Sequence, residues 1–277
     1  MDYKVACCLC VRDCEKYLPL IFKNLDKLSL EFKQFVVIFA YDNCRDNSEK
    51  LLREYKESSN HEVIIRNVEN NEHSLRTVRI AKARNTCLKI IYTELKDIDF
   101  HMMIDADDVN TKNWNINIIK KYLNDDTWDI LTFNRDHYYD IWALSFNFYK
   151  HHCWCFINRM INLQVIDCMQ KEIINCLKNL KKDELFECNS AFCGLGIYRT
   201  NKLNNIFYNG FYPDFRLLIT DEERAKTIQY LQFKLQKNII LYEGNPEICE
   251  HQFYNILAIK KNNARVRIAK EIAIPNK

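Results

Sequence analysis

FHMMIDADDV, at residues 100–109, is a short apolar run that ends in three carboxylates. Five mostly apolar residues closed by a polar cluster are typical of a buried strand, because they are too few for several helical turns. In open α/β sheets, side chains at such strand ends face a crevice where ligands bind. Asp105 and Asp107 point the same way on an extended backbone, so they could bind one hard cation. An isolated Asp-x-Asp is more often a solvated turn, and the neighbouring residues have to decide between the two.

The composition limits the class of protein. The chain has 277 residues, of which 48% are hydrophobic and 28% charged, and its formal net charge is +3. This profile is typical of a soluble globular protein and predicts no nucleic-acid partner. All four glycines lie in the last third of the chain, which excludes the P-loop and the Rossmann fingerprint from the rest of it. No apolar run is long enough to predict a transmembrane segment.

The thirteen cysteines indicate a reducing compartment. Their number is odd, and the apolar run at residues 5–11 is too short for a signal peptide and lacks a cleavage site. We therefore expect free thiols and a cytoplasmic location. Core packing explains these cysteines better than a metal site does, since cysteine is among the most buried residue types.

The first half of the chain alternates strand and helix patterns. Apolar runs predict strands at residues 5–11, 35–40, 62–65 and 100–104, with helices around residues 17–25, 49–56 and 76–92 between them. Asp46 or Ser48 could cap the second helix. This alternation is typical of an α/β fold with a mostly parallel sheet covered on both faces. The ends of the first, second and fourth strands then share one edge, so Arg12, Asp42 and Asp105 could line one crevice.

The second half carries less regular patterns. They predict helices at residues 114–123, 160–182, 221–235 and 252–261, and strands at residues 128–133, 238–242 and 266–269. The aromatic segment at residues 137–142 suits either the core or the stacking and hydrogen bonding that bind a sugar. Gly194 and Gly196 lie between apolar residues, where a close backbone approach by a ligand and a strand bulge are both explanations.

With these elements in place, the chain resembles the nucleotide-sugar glycosyltransferases of the GT-A fold over nearly its whole length. The shared marks are VRD at residues 11–13, Asp42, ARN at residues 83–85 and DAD at residues 105–107, which matches the DxD motif. Three further segments are similar to those of a subgroup that includes fungal capsule-type mannosyltransferases and giant-virus glycosyltransferases. They are YYDIWA at residues 138–143, FCGLGIY at residues 192–198 and CEH at residues 249–251.

The resemblance implies a domain plan. One GT-A-like domain, Rossmann-like in its sheet and with a smaller acceptor-side subregion, would cover residues 1–277. Residues 1–125 would bind the nucleotide-sugar, and residues 126–277 would bind the acceptor and end in the C-terminal helix. If the protein is viral, as its Asn-, Lys- and Ile-rich composition also indicates, the cytoplasm would be that of the host.

The resemblance also implies roles for residues. The donor would contact Arg12, Asp42, Arg79, Arg84 and Asp105. The metal, Mn²⁺ or Mg²⁺, would be bound by Asp107 as the main ligand, by Asp105 and by His251. We expect the acceptor to contact Tyr139, Asp140, Trp142 and Gly194. Simpler explanations stay open, because Arg79 and Arg84 could form a solvated helix face and His251 could be a capping histidine.

A proton acceptor is needed if the anomeric configuration is inverted. Glu250 has the place that the family usually gives to this base, although the chain has Glu-His where Glu-Asp is usual. Asp221 and Glu222 compete for the role, but an acidic pair at a helix N-terminus explains them better. A retaining reaction needs no such base, and the sequence does not choose between the two.

The sequence thus predicts a metal-dependent hexosyltransferase that moves a sugar from a UDP- or GDP-sugar to a glycan, glycoprotein or other hydroxyl acceptor. A divalent ion and arginines suit this chemistry, because they neutralise the departing phosphate. One alternative is a phosphatase of the haloacid-dehalogenase type, whose Asp-x-Asp-x-Val motif DADDV also matches, although that motif normally follows the first strand. Another is a catalytically inactive sugar-nucleotide-binding module.

Overall fold

The centre of the molecule is a mixed sheet. The computed structural model describes residues 1–69, 71–242 and 244–275. Its strands are β1 (Lys4–Val11), β2 (Gln34–Tyr41), β3 (Glu62–Asn67), β4 (Phe100–Asp105), β5 (Ile130–Phe133), β6 (Leu185–Cys188), β7 (Leu195–Arg199) and β8 (Val266–Ala269). They form one eight-stranded sheet in the order β3-β2-β1-β4-β7-β5-β8-β6. Strands from both halves of the chain therefore share a single sheet.

The first four strands are parallel and are connected by helices α1 (Leu18–Ser29), α2 (Ser48–Ser58) and α3 (Arg76–Thr93). Because parallel strands have their carboxyl ends at the same edge, Cys10 of β1 lies opposite Asp105 of β4. Val11 of β1 lies opposite Tyr41 of β2 in the same way. The residues that follow these strands consequently meet at one edge.

The second half adds helices α4 (Ile116–Lys121), α5 (Arg159–Asn179), α6 (Tyr212–Arg216), α7 (Asp221–Leu235) and α8 (Glu250–Asn262). Strand β7 runs antiparallel between β4 and β5, while β5 and β8 are parallel and β6 is antiparallel to β8. The predicted α/β class with helices flanking a central sheet is confirmed. The antiparallel β7 brings the Gly194–Gly196 region beside the acidic strand.

Several predicted elements differ from the structure. The strand predicted at residues 238–242 is absent from the described part of this segment, where Leu241 makes only an isolated bridge to Phe156. Ile240 and Tyr242 are each half exposed, so the segment lacks the buried face that the apolar pattern suggested. The helix predicted at residues 114–123 covers only Ile116–Lys121, because Asn115 caps it by accepting from the Ile118 N–H. Strand β6 was not predicted.

The predicted cap of α2 was wrong in its detail. Asn47 occupies the N-cap position and makes no side-chain capping bond. The Asp46 carboxylate nevertheless accepts from the backbone N–H of Ser48, the first helical residue, at 3.0 Å. The hydroxyl of Ser48 instead accepts from the Cys14 N–H, which ties the turn after β2 to the turn after β1.

The cysteines belong mainly to the core. All thirteen carry free thiols, and nine of them are buried. Several lie on β1, where Cys7 packs against one side of the sheet and Cys8 against the other. Within residues 1–69, 71–242 and 244–275, none of the helices combines the length and apolar character that crossing a membrane requires.

Candidate functional site

A cleft of about 660 Å³ opens at the edge where β1, β2 and β4 end. Eleven of the twelve predicted site residues line it: Arg12, Asp42, Arg79, Arg84, Asp105, Asp107, Tyr139, Asp140, Trp142, Glu250 and His251. Gly194 is not among the described residues of the lining, and instead packs against Tyr139 and Arg135. The fold therefore brings together predicted residues that are as much as 239 positions apart in sequence, since Arg12 and His251 line the same cleft.

Arg84 is the charged centre of the cleft. It projects from α3 with only 6% of its side chain exposed, so it is not the solvated face that the simpler explanation required. Its Nε donates to Glu250 Oε1 and its Nη2 to Asp105 Oδ1, each at 3.1 Å. Burial opposes the charged form, but these two carboxylates outweigh it and raise the pKa of Arg84 further above its ordinary value. The guanidinium also lies 5.2 Å from the ring centroid of Phe192, within cation–π range.

The two aspartates of the acidic strand differ in their surroundings. Asp105, the last residue of β4, is fixed by its backbone, whose N–H donates to the Gly194 carbonyl at 3.0 Å. Asp107 lies beyond the strand, and its Oδ1 accepts from the Val109 N–H at 3.2 Å. Partial burial in the cleft wall and the neighbouring charge of Asp105 raise the pKa of Asp107 to about 6. Their proximity disfavours two negative charges, which a cation would relieve.

His251 lies on α8 with its ring stacked on Phe192 at a centroid distance of 3.6 Å. Burial, and then the charge of Arg84, lower its pKa well below the ordinary value, so the imidazole is neutral, the form that binds metals. Its Nε2 is buried without a hydrogen-bond partner in the described chain, and lies 3.9 Å from Glu250 Oε1. This unpartnered nitrogen and the carboxylate oxygens of Asp105 and Asp107 are of the atom types that bind a divalent ion.

The predicted set of three metal ligands is not assembled in the structure. Among the residues that are described, no group of three or more His, Cys, Asp or Glu side chains is close enough to hold a metal ion. Asp105, Asp107 and His251 share the cleft, but as separate donors. Their joint role as ligands stays a prediction.

The far end of the cleft holds a pair of buried polar side chains. Asp42 follows β2, and its Oδ2 accepts from Arg12 at 3.3 Å and from Asn71 Nδ2 at 2.9 Å. The other oxygens of this pair, Oδ1 of Asp42 and Oδ1 of Asn71, are buried and have no partner within the described residues. Arg79 completes this end, and its guanidinium donates to the carbonyls of His73 and Ser74.

Another part of the lining comes from the aromatic segment at residues 137–142, which lies partly in the core and partly in the cleft wall. Tyr138 is fully buried in the core, whereas Tyr139 is 41% exposed and lines the cleft. Trp142 also lines it, and its Nε1 is a buried donor without a hydrogen-bond partner among the described atoms. Between them, Asp140 Oδ1 accepts from the Ala143 N–H at 3.2 Å. Burial, followed by the charge of Asp105, raises the pKa of Asp140 to about 7.

Two buried residues that hold this site, Arg135 and Asn110, were not predicted. Arg135, just after β5, donates from Nε to the Cys193 carbonyl, from Nη1 to the Val109 carbonyl and from Nη2 to Asn110 Oδ1. Asn110 in turn donates to the Gly194 carbonyl at 2.8 Å. The available signal was a charged residue two positions after the strand predicted at residues 128–133. Its burial could not be recognised without the neighbouring loops. Asn71 was missed for the same reason.

The competing acidic pair lies elsewhere. Asp221 and Glu222 begin α7, where Thr220 and Glu223 form a capping box. The Asp221 side chain is 86% exposed and pairs with Arg216 and Arg224. Neither acid belongs to the described lining of the cleft. Their helix-terminal role, already the better explanation, accounts for both.

Comparison with known proteins gives a family match. A family model described as "Glycosyl transferase family 2" matches residues 7–182, more than half of the chain. The match begins in β1 and ends beyond α5, so it includes the acidic strand and the aromatic segment. Comparison with curated protein sequences gives no significant match.

Several solved structures are similar at low identity. TarS from S. aureus, in complex with UDP, matches with a TM-score of 0.47 and 14% identity over 98% of this chain and 59% of that chain. The mannosyltransferase PcManGT from Pyrobaculum calidifontis, in complex with GDP-Man and Mn²⁺, has a TM-score of 0.41 and 13% identity over 75% and 48%. Glucosyl-3-phosphoglycerate synthase from Mycobacterium tuberculosis has a TM-score of 0.40 and 11% identity over 73% and 58%. The chain thus spans between 48% and 59% of the length of these three proteins.

Proposed function

Because the chain belongs to glycosyl transferase family 2, we propose that it transfers a hexose from a UDP- or GDP-sugar to a hydroxyl group of a glycan, glycoprotein or other acceptor. The predicted enzyme class agrees with this family. The observation that carries the proposal is the cleft itself, in which buried Arg84 lies between Asp105 and Glu250 at the end of the acidic strand. An arginine held in this way is preorganised to stabilise charge that develops on a departing phosphate.

The Asp42 end of the cleft suits a nucleoside. The unpartnered oxygens of Asp42 and Asn71 are acceptors that a ligand must satisfy, because a buried acceptor without a donor costs about 1–3 kcal/mol. Uracil and guanine both present ring N–H donors that could fill this role. Arg12, paired with Asp42 at 3.3 Å and still partly exposed, would contact the nucleoside from the rim.

The diphosphate would lie between this end and the acidic strand. Arg79 and Arg84 supply positive charge there, and Asp105 and Asp107 would hold Mn²⁺ or Mg²⁺, with His251 as a further ligand. Such an ion supplies Lewis-acid stabilisation of phosphate oxygens when it is bound. Besides burial, repulsion from Asp105 raises the pKa of Asp107. The charge of a bound cation would compensate this repulsion, which supports the placement.

The acceptor would bind on the aromatic wall. Tyr139 offers a partly exposed ring for stacking, and Trp142 offers an unpartnered indole N–H to a sugar hydroxyl. Gly194 supports this wall from behind, because a side chain there would collide with the Tyr139 hydroxyl, 3.0 Å from the Cβ position. Glu250, the predicted base, and Asp140 are the two candidate carboxylates for accepting the proton of the acceptor hydroxyl.

The finer predictions are also part of the proposal. Residues 1–125 would bind the donor and residues 126–277 would bind the acceptor. The chain would be related to the fungal capsule-type mannosyltransferases and the giant-virus glycosyltransferases. The phosphatase alternative loses its support, since the chain belongs to another family and its acidic motif follows the fourth strand. An inactive binding module would still bind a donor but never consume it.

Calorimetry with a panel of UDP- and GDP-sugars tests the proposal. We expect at least one donor to bind in the presence of Mn²⁺, and we expect binding to weaken when Mn²⁺ is replaced by a chelator. Consumption of the bound donor then separates an enzyme from a binding module. A protein that binds none of the donors, with or without Mn²⁺, would contradict the proposal.

A further inference from the structure

Two acidic side chains in the cleft could take a proton from an acceptor, and their surroundings differ. Glu250 is 7% exposed, and its Oε1 accepts from Arg84 Nε at 3.1 Å. A proton transferred to Glu250 would remove one of the two negative charges, on Glu250 and Asp105, that stabilise the buried guanidinium of Arg84. Breaking such a pair is costly, because it leaves an uncompensated buried charge. Glu250 is therefore better suited to hold Arg84 than to exchange protons.

Asp140 forms no comparable ion pair with the described residues. It lies between Tyr139 and Trp142 in the cleft wall, and the described residues offer it one hydrogen bond, from the Ala143 N–H, and no ion pair. The charged groups that influence its pKa are Asp105 most, then Glu250, and then Arg84. The thiols of Cys153, Cys193 and Cys249 also surround it. Protonation of Asp140 therefore breaks no ion pair with the described residues.

On the assumption that the proposed function holds, we propose that Asp140 is the general base of the transfer and that Glu250 is a positioning residue that acts through Arg84. The raised pKa of Asp140, about 7, supports this, since a general base works best when its pKa is near the working pH. The order of residues on the wall agrees with it as well. Tyr139 and Trp142 flank Asp140 in sequence and line the same cleft, so an acceptor sugar on these rings would have hydroxyls near the carboxylate.

The step balances as a single displacement. The acceptor hydroxyl gives its proton to the Asp140 carboxylate while its oxygen forms a bond to the anomeric carbon of the donor. The bond between that carbon and the β-phosphate oxygen breaks, and its electron pair leaves with the nucleoside diphosphate. Asp140 afterwards releases the proton to solvent. One displacement inverts the anomeric carbon, so the proposal includes an inverted product.

The experiment compares wild type with Asp140→Asn, Glu250→Gln and Asp136→Asn. Asp136→Asn is the matched control, because Asp136 is an exposed acid directly before the aromatic segment and outside the described cleft lining. Each protein is given its nucleotide-sugar with two nucleophiles, a hydroxyl acceptor and azide. Azide attacks the anomeric carbon to form a glycosyl azide and carries no proton to remove. A residue that acts only as a base is therefore dispensable with azide.

We expect Asp140→Asn to lose about 10²- to 10⁴-fold in kcat with the hydroxyl acceptor and to match wild type with azide. Glu250→Gln should lose activity with both nucleophiles, and Asp136→Asn with neither. If Asp140→Asn transfers to the hydroxyl as fast as wild type, or if azide rescues Glu250→Gln alone, the assignment of the base is wrong. If the sugar in the wild-type product keeps its anomeric configuration, it is wrong as well. If wild type consumes no donor at all, the proposed function fails, and the base with it.

Discussion

Nη2 of Arg84 lies 3.1 Å from Oδ1 of Asp105, so a buried arginine of α3 contacts the last residue of the acidic strand. The same guanidinium reaches Glu250 at the start of α8. One side chain thereby joins the two halves of the chain at the floor of the cleft. This contact couples stability to function, because the group that would stabilise a leaving phosphate also neutralises two acids of the folded protein.

Replacement of Arg84 should therefore destabilise the fold. Arg84→Gln leaves Asp105 and Glu250 without their cation, and breaking a buried pair in this way costs about 3–5 kcal/mol. Urea unfolding followed by circular dichroism measures the loss. Arg76→Gln is the control for stability, since Arg76 is exposed at the start of the same helix and its replacement should change the free energy of unfolding by about 0.5 kcal/mol at most. Equal unfolding midpoints for the two variants would show that the Arg84 contacts contribute little.

The metal prediction can be tested at Asp107. Asp107→Asn removes the charge of the main predicted ligand, so we expect the Mn²⁺-dependent part of nucleotide binding to disappear while the fold is retained. Asp108→Asn is the matched control, because Asp108 is adjacent in sequence but outside the described lining of the cleft. Titration of a UDP- or GDP-sugar with Mn²⁺ and with chelator gives the two affinities. A chelator effect of the same size in wild type and Asp107→Asn would count against Asp107 as a ligand.

The proposed binding of the nucleoside at Asp42 predicts a loss of affinity in Asp42→Asn. The substitution keeps the shape but replaces a carboxylate oxygen by an N–H donor, so the nucleobase would lose an acceptor that it satisfies. The expected cost of about 1–3 kcal/mol corresponds to about a 5- to 150-fold weaker Kd for the nucleotide. Asp13→Asn controls for the loss of charge, because Asp13 is exposed and its positive φ of 52° is one that Asn tolerates. Unchanged nucleotide affinity in Asp42→Asn would place the base elsewhere.

Gly194 should not tolerate a side chain. Its φ of +83° is one that L-residues rarely adopt, and an added Cβ would lie 2.8 Å from Nη2 of Arg135 and 3.0 Å from the Tyr139 hydroxyl. We expect Gly194→Ala to lose about 1–3 kcal/mol of stability through backbone strain alone, and to raise KM for the acceptor by moving Tyr139. Thermal unfolding and acceptor kinetics measure both effects. If the substitution changes neither, the support of Tyr139 by Gly194 is incorrect.

Buried histidines make the fold sensitive to acid. Burial lowers the pKa of His101 to about 3, from an ordinary value of 6.5. The unfolded chain then binds a proton below pH 6.5 that the folded chain does not bind until about pH 3. The neutral His101 therefore contributes stability above pH 6.5, and between these values the free energy of unfolding falls by about 1.4 kcal/mol per pH unit.

Unfolding measured at pH 7, 6, 5 and 4 checks this effect. We expect His101→Asn to lose stability at pH 7 but to fall less steeply with acid, by about one bound proton. His73→Asn is the control, because His73 is exposed and should leave the slope as it is in wild type. Identical slopes in all three proteins would mean that His101 gains its proton at the same pH in the folded and the unfolded chain, which would contradict the lowered pKa.

Much of the first half of the chain could be predicted from the sequence because its signals are local. Each of β1, β2 and β4 is an uninterrupted apolar run, and parallel pairing puts the polar residues after such runs at one edge. Arg12, Asp42 and Asp105 therefore met in one cleft as expected. The strand predicted at residues 238–242 failed because a short apolar run shows neither which face is buried nor whether a partner strand is present.

The residues that were missed depend on contacts distant in sequence. Arg135 is buried only because the loops at Val109, Asn110 and Cys193 bring their acceptors to it. Nothing near Asn71 in the sequence predicts its bond to Asp42. The ion pair of Glu250 with Arg84 spans 166 residues, so a carboxylate that was predicted as a base could not be recognised beforehand as a partner in a buried pair.

Sugar transfer in this cleft can be measured as release of nucleoside diphosphate from a panel of UDP- and GDP-sugars, with Mn²⁺ and a mixture of sugar acceptors. We expect wild type to release nucleoside diphosphate from at least one donor and Asp107→Asn to release none. If wild type releases none from any donor, or if Asp107→Asn releases it at the wild-type rate, the claim that this cleft transfers a sugar with the help of a cation at Asp107 is wrong.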